Sequence, residues 1–134
     1  MLIPHLHFNS DCKQAIAIYE TAFGTKAESV IYSHQYDPSQ SVSDRIAHAV
    51  MKIHRQTVFL NDRFGNKNRT TDCAVHLIVM FESKAALLTC YDILKADSIT
   101  VDPMQEPAYS PLCVQFIDRF GVLWGFMAEE NATT

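Results

Sequence analysis

The order strand, helix, strand, strand, strand can be read twice along this chain, once before and once after a polar stretch at residues 61–72. A supersecondary unit of this size cannot bury its apolar face alone. Two copies in one chain are therefore best read as paired modules, here predicted over residues 1–62 and 72–130 of a single domain spanning 1–134. The first copy opens with a strand at residues 2–9, where Leu6 and Phe8 alternate with His5 and His7. Ser10 or Asp11 can cap the helix that follows, and Asp11-x-x-Gln14 has capping-box spacing. Ala15, Ile16, Tyr19, Ala22 and Phe23 recur at helical spacing, and Gly24 supplies a left-handed stop. A β-branched strand at 28–33 leads into a polar segment at 34–45, with Pro38 and several serines, that is predicted to be a mobile loop. Strands at 46–53 and 57–61 follow, joined by His54-Arg55-Gln56.

The second copy repeats the order. A strand at 74–81 precedes a helix capped by Ser83, whose Leu87, Leu88, Tyr91 and Leu94 form an apolar stripe. A short strand at 98–101, a loop at 104–110 and strands at 113–117 and 122–128 complete it. The last two strands are joined through Asp118-Arg119-Phe120-Gly121, and Gly121 can take φ > 0 without a Cβ penalty.

Composition narrows the function. The chain carries a net charge of −4 and no cluster of Lys or Arg, whereas phosphate-backbone binding needs several positive charges on one face. Nucleic acid is not an expected partner. No apolar run reaches the length of a bilayer span, so no membrane partner is expected either. The chain starts at Met1 without a signal-peptide pattern, which makes the cytoplasm the expected location. Cys12, Cys73, Cys90 and Cys113 form no C-x-x-C pair and read as small apolar fillers.

Several segments together carry a family resemblance. They are Pro4 to Phe8, Ala15 to Gly24, Ile46-Ala47-His48-Ala49, the Asn61-Asp62 pair, and Asp118-x-Phe120-Gly121-Val122-x-Trp124. In this order and spacing the chain resembles the vicinal oxygen chelate superfamily, which includes glyoxalase I, ring-cleaving dioxygenases and bleomycin-resistance proteins, and within it the PhnB-like group. The resemblance implies an α+β fold of tandem βαβββ modules, a curved mixed sheet around a cavity, and a homodimer. PhnB-like proteins often carry a 3-demethylubiquinone methyltransferase name. The four glycines Gly24, Gly65, Gly121 and Gly125 form no clustered loop of the kind a nucleotide or S-adenosylmethionine site uses, which argues against methyl transfer.

The resemblance also implies where a metal would sit. Metal-using relatives draw two ligands from each module, and the four positions fall near Pro4 or His5, at or beside Leu60, on His76 and on Gly125. Leu60 and Gly125 cannot ligate through side chains, so no metal and no cofactor are expected. His34 and His54 fall in loop or turn and read as solvated. His5, His7, His48 and His76 alternate with apolar neighbours on strands. Each alone could be a hydrogen-bonded core residue, but four in one small chain can line a common concave surface. Strand alternation adds Phe59, Asn61 and Gln115, and Trp124 is either core filling or an aromatic wall. The expected function is binding of a small, partly apolar molecule by His5, His7, His48, Phe59, Asn61, His76, Gln115 and Trp124, independently of metal. The alternative is a divalent-metal-dependent lyase or dioxygenase of the glyoxalase type.

Overall fold

A computed structural model describes residues 1–63, 75–107 and 111–129. The chain divides into two units, Met1–Asn68 and Arg69–Thr134. The first runs β1 (His5–Phe8), α1 (Cys12–Phe23), β2 (Ser29–Tyr32), the one-turn helix α2 (Ser33–Tyr36), β3 (Ile46–Ile53) and β4 (Gln56–Asp62). Its sheet has the order β1-β4-β3-β2, with β1 parallel to β4 and the other pairs antiparallel. α1 packs over β3 and β4. Phe8, Cys12, Ala15, Tyr19, Ala49, Met51 and Leu60 are completely buried. Each large apolar side chain so buried contributes about 2 kcal/mol of transfer free energy.

The ends of α1 follow two different rules. Gly24, at φ 62°, ends the helix in the left-handed region, and its N–H bonds to the carbonyl of Glu20. At the other end Asp11 holds the N-cap position, but its backbone (φ −116°, ψ 18°) is not extended and its side chain makes no capping bond. Its carboxylate instead accepts from the N–H of Asn9 at 3.2 Å. Asp62 of β4 takes over the cap: Oδ1 accepts from the N–H of Cys12 at 3.0 Å and Oδ2 from that of Ile46 at 2.9 Å. The capping box expected at Asp11 and Gln14 is thus replaced by a carboxylate distant in sequence.

The second unit runs β5 (Leu77–Phe81), α3 (Lys84–Leu94), β6 (Ile99–Gln105), β7 (Cys113–Ile117) and β8 (Leu123–Ala128). Its order is β5-β8-β7-β6, again with the first pair parallel and the rest antiparallel. The fold class is α+β, two four-stranded mixed sheets with their helices. Here the helix caps itself, as Ser83 Oγ accepts from the N–H of Ala86 at 3.1 Å. Phe116 packs edge-on against Tyr91 of α3 and Phe126 of β8, each at 5.1 Å. Asp118, 4% exposed, organises the β7–β8 turn. Its Oδ1 accepts from the N–H groups of Phe120 and Val122, and its Oδ2 from Trp124 Nε1 at 2.9 Å. Gly121 there has φ 94°.

Several local expectations need correction. The buried stripe of α3 is Leu87, Cys90 and Leu94, while Leu88 is 41% exposed and lies on the other side of the helix. β6 continues to Gln105 through Pro103, which an edge strand with irregular register tolerates. Met104 and Gln105 therefore belong to a strand rather than to a loop. The segment at 34–45 begins inside α2. It is closed at its base by Ser33 N–H to the Arg45 carbonyl at 2.8 Å and tied to α1 by Lys13 and Asp44 at 3.2 Å. His34, expected in a solvated loop, is half-buried and stacks on Tyr32. The β3–β4 turn is only His54-Arg55, both at positive φ, with Gln56 already in the strand. Asn61 and Asp62 end β4, and the rest of the expected linker, with Cys73, falls largely outside the described residues. Cys12, Cys90 and Cys113 are buried and free, and burial pushes the thiol pKa of Cys12 well above its usual value and that of Cys90 up to about 12.

Candidate functional site

Strand alternation gives each sheet one face under its helix and one open face. In the first unit the register pairs His5 with Phe59, His7 with Asn61, and Val50 with Phe59, so these residues and His48 share the open face. His5 and His7 are exposed, and His48, Phe59 and Asn61 half-buried. The His5 and His7 rings lie 4.3 Å apart, and His48 meets His5 edge-on at 6.1 Å. Phe59 sits between them, 4.6 Å from His48 and 5.9 Å from His5. Asn61 Oδ1 accepts from His7 Nδ1 at 2.7 Å, which holds the proton on Nδ1 and leaves Nε2 as an acceptor while the ring is neutral. His5 has its pKa lowered, first by partial burial and then by the charges of His7 and His48.

In the second unit Gln115 pairs with Gly125 and Phe116 with Trp124. Gln115 and Gly125 thus share the open face with His76, whereas Trp124 points under α3. Trp124 is 1% exposed and its indole N–H is bound by Asp118. It is a core residue, and its place in the expected lining is withdrawn. The signal lay in the register, because Gln115 and Trp124 occupy opposite faces of one hairpin. Gln115 Nε2 lies 3.2 Å from His76 Nδ1 and 3.4 Å from Nε2. The His76 ring lies over Gly125 so closely that a Cβ there would meet His76 Cδ2 at 3.2 Å. A glycine inside a strand is the sequence signal for such a close approach.

The metal positions implied by the resemblance do not fit a metal. Leu60 is completely buried beneath α1, and Gly125 offers no donor. Among the described residues no group of three or more His, Cys, Asp or Glu is arranged to hold an ion. The imidazoles of the first unit lie against one another and against Phe59.

The chain matches no protein-family model and no curated protein. Solved structures are more informative. A PhnB protein from Bacillus cereus, described as a 3-demethylubiquinone-9 3-methyltransferase, aligns with a TM-score of 0.82 at 21% identity, covering 95% of this chain and 98% of that one. A protein from Pseudomonas aeruginosa gives 0.81 at 21% identity, over 96% and 97%. A glyoxylase/bleomycin resistance protein/dioxygenase domain from Frankia gives 0.71 at 15% identity, over 99% and 93%. The chain therefore has the glyoxalase-like α+β fold that its sequence resemblance implied. No helix among the described residues is long and apolar enough to cross a membrane.

Proposed function

We propose that this is a PhnB-like glyoxalase-fold protein that binds a small, partly apolar molecule on the open faces of its sheets and needs no metal to do so. The observation that carries this reading is the gathering of His5, His7, His48, Phe59 and Asn61 on one open face. It combines hydrogen-bonding nitrogens with an aromatic contact, the usual composition of a small-molecule site. His76, seated by Gly125 and Gln115, gives the open face of the second sheet a hydrogen-bonding group of its own. In this reading the protein works in the cytoplasm as a twofold homodimer, which the edge strands β1, β2, β5 and β6, each paired on one side within its sheet, support.

Elemental analysis and thermal-shift screening of the purified protein test the reading together. The expected result is no stoichiometric transition metal, because the implied ligand positions offer only His5 and His76 as side-chain donors, too few to hold an ion firmly. A fragment at about 100 times its Kd should stabilise the fold by about 2.7 kcal/mol. His76→Ala should weaken the response to fragments that bind the open face of the second sheet, without changing metal content. One tightly held zinc, nickel or iron per chain, lost in the same variant, would favour the metal-dependent lyase or dioxygenase instead.

A further inference from the structure

We propose that the open face of the first sheet takes an anion: the charged oxygens of a small planar molecule, gripped by His5, His7 and His48, with its apolar body against Phe59. This deepens, and rests on, the binding reading above. The argument comes from the charge inventory of that face. Beside the three imidazoles, β4 contributes Thr57 and β2 contributes Ser29 and Ile31, while β3 continues through Val50 to Lys52. Every charged or titratable group at these positions is basic.

Five carboxylates of this unit are engaged elsewhere. Asp62 lies beneath α1. Glu20 accepts from the N–H of Ala27 at 2.8 Å, and Asp11 from that of Asn9. Asp37 is bound by Ser39, and Asp44 pairs with Lys13. Glu28 precedes β2, its N–H bonded to the Val50 carbonyl at 2.7 Å.

Protonation of His5 is opposed, first by partial burial and then by the charges of His7 and His48. A bound oxyanion removes that opposition and accepts hydrogen bonds from more than one ring, and such charge-assisted bonds are the stronger kind. Phe59, edge-on to two of the rings, leaves an aromatic surface beside the charged end.

Benzoate and its neutral counterpart benzamide separate the two ideas. The full chain is titrated with each at about pH 6, near the ordinary imidazole pKa, in chloride-free buffer, by calorimetry and by the carbon-bound proton resonances of the histidines. Benzoate should bind at least about 10-fold more tightly than benzamide, as a charge-assisted contact replaces a neutral one. It should shift His5, His7 and His48. His5→Gln/His48→Gln should abolish that preference with an unchanged circular dichroism spectrum. Equal binding of both compounds at these residues would overturn the anion inference and leave the small-molecule reading standing. No response of the three histidines to benzoate, with fragments moving only His76, would also overturn it. Zinc shifting the three imidazoles in preference to benzoate would overturn both readings.

Discussion

The two units share a strand order but not a chemistry. Aligning the last residue of each opening strand, Phe8 with Phe81, aligns Asp62 with Ala128 and Phe59 with Gly125, because both parallel pairs keep the same register. His5 then corresponds to Ile78, His7 to Met80 and Asn61 to Met127. On the helix side the exchange is conservative where the core requires it, Phe8 and Phe81 both being buried. On the open side it is not. The first unit presents imidazoles, whereas the second presents Ile78 and Met80, 54% and 46% exposed. The fold is held by the face each sheet turns to its helix, and the other face is free to vary.

The largest test of this comparison lies at the helix caps. Asp62 is 1% exposed and satisfies two backbone N–H groups, while its counterpart is Ala128 and the second helix depends on its own Ser83. Asp62→Ala should cost about 3 kcal/mol, since it leaves two buried donors unpaired. Ser83→Ala should cost about 1 kcal/mol, the usual loss of a local cap. Urea denaturation of both variants reads the difference. Equal losses would mean that the two caps are equivalent after all.

A smaller effect is expected at Gly125, the counterpart of Phe59. Gly125→Ala should cost about 1 kcal/mol or less, because the His76 ring can yield by a few tenths of an ångström. It should nonetheless change the His76 ring resonances and leave those of His5 and His48 alone. A variant in which His76 does not respond would show that Gly125 does not seat the ring.

The smallest effect concerns pH. His5 has a folded pKa below 6.5, so the unfolded chain binds more protons between the two values. Its contribution to stability is complete above pH 6.5 and is lost as pH falls toward and past the folded pKa. His5→Gln should flatten that decline in a series of denaturation curves. The corresponding Ile78 has nothing to titrate, so Ile78→Val should leave the slope unchanged. An unaltered slope in His5→Gln would mean that the imidazole cluster carries no proton linkage.

Sequence alone determined what depends on near neighbours. The two runs of strands and helices, the left-handed Gly24 and Gly121, the cap at Ser83 and the alternation that puts His5 and His7 on one face all follow from spacing within a few residues. Tertiary structure decided what depends on register between distant strands. It set Asp62 rather than Asp11 at the head of α1, with donor and acceptor 50 positions apart. It turned Trp124 under its helix while Gln115 reached the open face, and it laid His76 over Gly125. Alternation fixes which residues of one strand share a face. Only pairing with another strand fixes which face that is and what stands beside it, because a one-residue slip in register exchanges the two.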